Sequence, residues 1–155
     1  MSRIQTTLSG FTAPAETQEE GLALPLALNV AFTSDSATAE ALRYAAFMAD
    51  GLRARLQVIV PQVVPYGRDL NDPDVNPEFT AKRALEAARA AGVEADVNVV
   101  LCRDRAEGLH NALGKDGVVM IGGGQKWWPY PERNLARQLA DRGHKVLFVE
   151  GEKSV

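Results

Sequence analysis

A chain of 155 residues has the length of a single domain, and folding at this size removes roughly 70% of the unfolded chain's surface from water. Its hydrophobic share of 46% and charged share of 24% are those of an ordinary globular protein. The formal net charge of -3 and the pI near 5.4 exclude a general electrostatic attraction to nucleic acid or anionic lipid, so we expect neither as a partner.

The start of the chain and its single cysteine bear on location. Residues 1–21 are rich in Thr, Ser and Glu and lack the apolar core of a signal peptide. We predict that they form a flexible N-terminal tail before a folded domain at residues 22–155. The apolar stretch at residues 22–32 is too short to cross a bilayer. Cys102 has no partner for an intramolecular disulfide, which favours a reducing, cytoplasmic location.

Short unbroken apolar runs predict the strands. Such runs are typical of strands that are covered on both faces of a sheet. In chain order they fall at residues 26–32, 56–60, 97–101, 118–121 and 146–149.

Stretches with apolar residues at helical spacing alternate with these strands. Each has a capping residue or a glycine stop that fixes an end. The signals are Ser34, Asp35 and Ser36 before the first helix, Asn76 and Gly92 around the second, Asp104 and Gly114 around the third, and Gly143 after the fourth, at about residues 132–142.

The order β-α-β-α-β-α-β-α-β predicts a doubly wound α/β fold. Because β-α-β crossovers are right-handed, this order gives one five-stranded parallel sheet with helices on both faces. Periodicity does not determine the order of the strands. Residues 61–75 hold Pro65, Gly67 and Pro73 and are predicted to form a surface loop.

The fourth strand ends in three glycines, Gly122, Gly123 and Gly124. Bare backbone at the carboxyl edge of a parallel sheet can approach a ligand closely, and this edge is where open α/β folds bind ligands. Gln125 and Lys126 follow, and the lysine could neutralise a bound phosphate. The alternative is that the glycines form a tight turn with φ above zero, packed against a helix.

Other residues have a functional and a structural interpretation each. Trp127 and Trp128 could stack on an adenine or flavin ring, or fill a gap at the sheet edge and contact a partner. Cys102 could be a reactive thiolate beside Arg103 and Arg105, or a small buried hydrophobe. The two histidines have no clustered ligands around them, so no metal site is expected. No nucleophile elbow, Walker lysine loop or paired carboxylates indicate catalysis.

Several stretches together resemble the universal stress proteins, in the same order and spacing. The resemblance covers residues 22–150, and residues 136–139 (Ala-Arg-Gln-Leu) are similar to the A-type members. The stretches are residues 29–32, 41–45, 99–104, 118–122 and 145–149.

The resemblance implies an adenine nucleotide alpha hydrolase-like sheet with strand order 3-2-1-4-5. It places a ligand crevice between strands one and four. The candidate ligand-binding residues are Thr33, Ser34, Asp35, Gly122, Gly123, Gly124, Gln125 and Asn134.

The chain departs from the nucleotide-binding pattern of that family. Thr33 stands where those members have an Asp, and Gln125 stands at the second glycine of their Gly-x-x-Gly motif. Their Gly-Ser or Gly-Thr site falls near Arg133, Asn134 or Leu135. The A-type branch generally lacks the ATP motif, so the resemblance implies weak or absent nucleotide binding.

Three functions follow as hypotheses. The first is a cytosolic, non-enzymatic regulatory or interaction module that needs no cofactor, acts on an unidentified protein partner, and pairs with itself through its last strand. The second is a protein that binds ATP or a related adenine nucleotide. The third is a flavodoxin-like FMN carrier, to which Ala37 and Ala39 fit poorly. The candidate dimer edge is Val146, Leu147, Phe148 and Val149.

Overall fold

The computed structural model describes residues 4–8, 27–52, 54–114, 117–123 and 131–150. The strands are β1 (Ile4–Leu8), β2 (Ala27–Ala31), β3 (Arg55–Val63), β4 (Asp96–Cys102), β5 (Val118–Gly123) and β6 (Lys145–Glu150). The helices are α1 (Asp35–Leu52), α2 (Pro77–Ala90), α3 (Arg105–Leu113) and α4 (Pro131–Asp141). In the described ranges, no helix is long and apolar enough to cross a membrane.

The strands form one parallel sheet in the order β1-β4-β3-β2-β5-β6. The five predicted strands keep the order 3-2-1-4-5, and this part of the prediction is confirmed. The strand number is corrected from five to six. The added strand, β1, lies in the segment that we predicted to be a flexible tail.

Strand β1 has a sequence that a search for apolar runs does not find. Ile4–Leu8 has three polar residues between two apolar ones, and it pairs with β4 as an outer strand. An outer strand is less covered than a central one and tolerates this polarity. The Thr7 hydroxyl donates a hydrogen bond to Asn98 Oδ1 at 3.0 Å.

Strand β3 extends beyond its predicted end at residue 60, through Pro61 to Val63. The Phe32 N–H donates to the Ile59 carbonyl at 2.9 Å, so Ile59 faces the β2 side. Pro61 is two residues further on and faces the same side, beyond the end of β2. Its missing N–H therefore breaks no hydrogen bond of the sheet. The remainder of the predicted loop is mostly exposed.

Each face of the sheet is covered by two helices. Small residues on α1 and α2 recur at helical spacing and allow close packing on β2, β3 and β4. Helices α3 and α4 cover the opposite face. The buried alanines of the first layer are Ala41, Ala45, Ala49, Ala81, Ala84 and Ala88.

The predicted caps are confirmed at three helices. Asn76 Oδ1 accepts from the Glu78 N–H at 2.9 Å, and Asp104 Oδ2 accepts from the Glu107 N–H at 3.0 Å. Ser34 Oγ accepts from the Ala37 N–H at 3.3 Å at the start of α1. These bonds satisfy amides that a helix N-terminus leaves without an intrahelical partner.

Candidate functional site

The carboxyl ends of β2 and β5 lie side by side, because Ala31 pairs with Ile121. The residues that follow β2 therefore meet those that end β5. The Thr33 hydroxyl donates to the Gly122 carbonyl oxygen at 3.2 Å. This contact brings together the two groups of candidate residues predicted from the sequence.

The hydroxyl groups at this edge are engaged in the fold itself. Thr38 Oγ1 accepts from the Thr33 N–H at 3.1 Å, and Thr38 is fully buried. Ser34 Oγ caps α1, as described above. Thr33, Ser34 and Thr38 thus fix the way in which the chain leaves β2 and enters α1.

Gly122 and Gly123 are required by close packing. A Cβ on Gly122 would overlap the Ala37 carbonyl group in the first turn of α1, and a Cβ on Gly123 would overlap the Phe148 ring. In the described part of the chain, the glycines with positive φ are Gly92, Gly114 and Gly143. Gly122 and Gly123 therefore have no need of left-handed backbone, in contrast to the turn interpretation. Gly124, Gln125, Lys126, Trp127 and Trp128 lie outside the described residues.

Asp35 takes part in an ion pair that the sequence pattern did not indicate. Arg83 Nη2 of α2 lies 3.2 Å from Asp35 Oδ1, and the Arg83 guanidinium lies 5.7 Å from the centre of the Phe32 ring. The two charged side chains are 53% and 67% exposed, so the pair contributes at most about 1 kcal/mol of stability. It gives this edge a cation beside an aromatic face. No local pattern could identify Arg83, which is 48 positions away from Asp35.

Asn134 and Arg133 lie near the start of α4, and both are exposed. The Arg133 guanidinium stacks 5.5 Å from the centre of the Phe148 ring, the ring that covers Gly123. Arg133 is therefore tied to the β6 side of the glycine run. The structure gives Asn134 a surface position on α4, and its role in ligand binding stays a prediction.

Of the two interpretations of Cys102, a reactive thiolate or a small buried hydrophobe, the structure supports the second. Its side chain is fully buried, and Gly108 packs so closely that a Cβ there would lie 2.7 Å from Sγ. Burial, followed by the negative charges of Asp104 and Glu107, raises the pKa of the thiol to about 11. Arg103 instead donates to the carbonyl oxygens of Val64 and Pro65, at 3.1 and 2.6 Å.

Strand β6 is an outer strand of the described sheet, since it pairs with β5 and ends the strand order. Val146 and Phe148 pack on the core layer of α3 and α4. Leu147 is 41% exposed and Val149 is half-buried. Pairing of this edge with a second copy stays a prediction.

A cleft of about 720 Å³ opens at the opposite, amino edge of the sheet. Ala46 and Ala49 of α1, Leu56 of β3 and Val93 in the turn before β4 contribute to its walls. No candidate residue from the sequence lines it. Within the described ranges, no group of three or more His, Cys, Asp or Glu side chains could hold a metal ion.

The sequence matches no family model and no curated protein. The fold, in contrast, matches solved structures. One is a universal stress protein in complex with cAMP, with 17% identity, a TM-score of 0.55 and coverage of 84% of this chain and all of that chain.

Two further structures are universal stress proteins from Archaeoglobus fulgidus. One is 16% identical, with a TM-score of 0.55 and coverage of 81% of this chain and 99% of that one. The other, in complex with dAMP, is 18% identical, with a TM-score of 0.51 and coverage of 80% and 97%. At these identities the likeness concerns the fold. The chain therefore has the adenine nucleotide alpha hydrolase-like α/β fold that these universal stress proteins share.

Proposed function

We propose that this protein is a cytoplasmic universal stress protein of the A type, which acts as a homodimeric regulatory or interaction module and binds nucleotide weakly or not at all. The observation that carries the proposal is the packing at Gly122. The first turn of α1 lies directly on this glycine, and the Thr33 hydroxyl bonds to its carbonyl oxygen.

Two features of the crevice support weak nucleotide binding. The second position after β2 holds the neutral Thr33, and the nearby carboxylate of Asp35 is paired with Arg83. The hydroxyl groups of Thr33 and Ser34 already take part in hydrogen bonds of the fold. A nucleotide that accepted a hydrogen bond from the Thr33 hydroxyl would have to replace its bond to Gly122, and the gain in binding free energy would be reduced accordingly.

Calorimetric titration with Mg-ATP, AMP and cAMP tests this function. We expect no saturable heat below about 1 mM, which corresponds to a binding free energy weaker than about -4 kcal/mol. Fluorescence of the chain's two tryptophans gives a second, independent measurement. A micromolar dissociation constant for any of these nucleotides would contradict the proposal.

The second candidate function, binding of an adenine nucleotide, is favoured by one observation. Arg83 places a cation at the carboxyl edge, beside the Phe32 ring, and two of the similar structures contain cAMP or dAMP. If nucleotide binds at this edge, Arg83→Gln should weaken it by at least about tenfold. Arg89→Gln, a change at an exposed position in the last turn of the same helix, is the matched control.

A further inference from the structure

The chain has two histidines, and the fold brings them into contact. His110 Nδ1 lies 2.7 Å from His144 Nε2, and the rings meet edge to face with their centres 4.9 Å apart. His144 is only 6% exposed, and His110 is half-buried. The contact joins α3 to the residue directly before β6.

The length of this contact limits the protons that the pair can hold. A neutral imidazole has one N–H and one lone pair, so a nitrogen-to-nitrogen hydrogen bond needs a single proton between the rings. A neutral pair satisfies this condition, and so does a pair with one added proton. A second added proton places two N–H groups and two positive charges face to face.

The surroundings of the pair carry charges of both signs. His110 is in the last turn of α3, where the helix dipole favours one positive charge. On the same elements, Glu107 precedes His110 by one turn, and Lys145 follows His144. Asp141 and Arg142 stand at the end of α4. These four side chains are exposed and screened by solvent, whereas the two imidazoles are in direct contact.

Three more charged residues are close in sequence. Arg105 opens α3 and is half-buried. Lys115 and Asp116 follow α3 and lie outside the described residues. The start of β5 contributes the uncharged Gly117 and Val118. In a doubly protonated pair, the two positive charges would lie on rings that are in direct contact.

We propose that His110 and His144 form a proton-sharing contact that fastens α3 to the start of β6 and opens when acid adds a second proton to the pair. The His144 N–H also donates to the Leu139 carbonyl oxygen at 3.2 Å, which ties the residue before β6 to α4. Opening would loosen the amino end of the outer strand β6. Any effect on dimerisation rests on the proposed function, whereas the coupling between the two rings does not.

Proton NMR tests the coupling directly, because two histidines give two Cε1–H signals. We expect both signals to respond to the same titration steps, because protons shared by two rings belong to the pair. In His110→Gln, the His144 signal should follow one step. If each signal of the unchanged protein follows one independent step, the proposal is overturned. This readout needs no variant, so a failure of His110→Gln to fold does not affect it.

Hydrogen exchange tests the fastening. Between neutral pH and the pH of the second step, exchange in residues 145–150, corrected for the intrinsic rate, should rise about tenfold, or about 1.4 kcal/mol of local stability. Residues 97–101 of the central strand β4 should not change. Unchanged exchange in β6 would contradict the proposal that the histidine contact holds β6 to α3, even if the two rings titrate together.

Sedimentation over the same pH range separates this inference from the proposed function. A protein that is monomeric at every pH, yet shows coupled titration and faster exchange, would contradict the proposed dimer and support the fastening. A protein that is dimeric but whose two histidines titrate independently would support the proposed dimer and contradict the proposed histidine contact.

Discussion

The surroundings of Cys102 make its thiol unreactive, although the same residue type is reactive where its pKa is lowered. A thiol reacts as the thiolate, and a pKa of about 11 leaves only about one molecule in ten thousand ionised at pH 7. We expect alkylation by iodoacetamide at pH 7 to be about 100-fold slower than for a cysteine with the usual pKa of 9.0. Unfolding in urea should restore the normal rate. Stoichiometric labelling of the folded protein within minutes would show that the thiol is exposed.

The raised pKa of Cys102 also predicts how the free energy of unfolding changes at alkaline pH. The folded thiol keeps its proton up to about pH 11, while the unfolded thiol loses it near its usual pKa of 9.0. Between these values the folded state binds more protons, so stability falls as pH rises. Cys102→Ala should remove this part of the decline. Urea unfolding at pH 8 and pH 10 measures the difference, and an equal decline in both proteins would contradict the prediction.

Gly122 is the residue on which the crevice geometry depends. Alanine at this position would press its Cβ into the backbone of α1 at Ala37, which cannot move as a side chain can. We expect Gly122→Ala to lower the free energy of unfolding by about 1–3 kcal/mol. Gly67→Ala is the control, because a Cβ at Gly67 meets no atom within 4 Å. Equal urea midpoints for the two variants would show that α1 does not pack on Gly122.

At the scale of elements, the start of α2 depends on one side chain. Asn76 lies directly before Pro77, the first residue of α2, and its Oδ1 accepts a hydrogen bond from the Glu78 N–H. Asn76→Ala should lower the free energy of unfolding by about 1 kcal/mol, because it leaves this amide without its acceptor. Asn76→Asp keeps an acceptor and should change stability by much less. If both variants unfold at the same urea concentration, the cap contributes nothing measurable.

The elements differ in how far the sequence alone predicts them. The central strands and their helices were predictable, because unbroken apolar runs and capping residues are local signals. Strand β1 was not, since Ile4–Leu8 mixes polar and apolar residues at an outer position. Pro61 falsely indicated a strand end, because its missing N–H matters only where a neighbouring strand continues.

The candidate site was predictable in its place and only partly in its contacts. The meeting of Thr33 with Gly122 follows from the carboxyl ends of neighbouring parallel strands. The ion pair of Arg83 with Asp35 and the contact of His110 with His144 join residues 48 and 34 positions apart. Such contacts depend on helix placement over the sheet, which no local pattern contains.

At the scale of the molecule, the two outer strands of the sheet differ in chemistry. Strand β1 exposes the apolar Ile4 at its start, followed by the polar Gln5 and Thr6, whereas β6 exposes the apolar Leu147 at its centre, next to the half-buried Phe148 and Val149. An apolar outer strand gains more from being covered than a polar one. The proposed homodimer therefore uses β6 and leaves β1 free.

A single charge at this edge tests the proposed assembly. Leu147→Lys places an ammonium group at the centre of β6, where pairing of two copies would bring both charges together without solvent. Leu147 is not among the core residues under α3 and α4, so the fold should survive. We expect a dimer for the unchanged protein and a monomer for Leu147→Lys, by sedimentation at micromolar concentration. Phe79→Lys, at a 63% exposed position on α2, is the control and should stay dimeric. A monomeric unchanged protein, or a dimer that survives Leu147→Lys, would show that β6 does not join two copies.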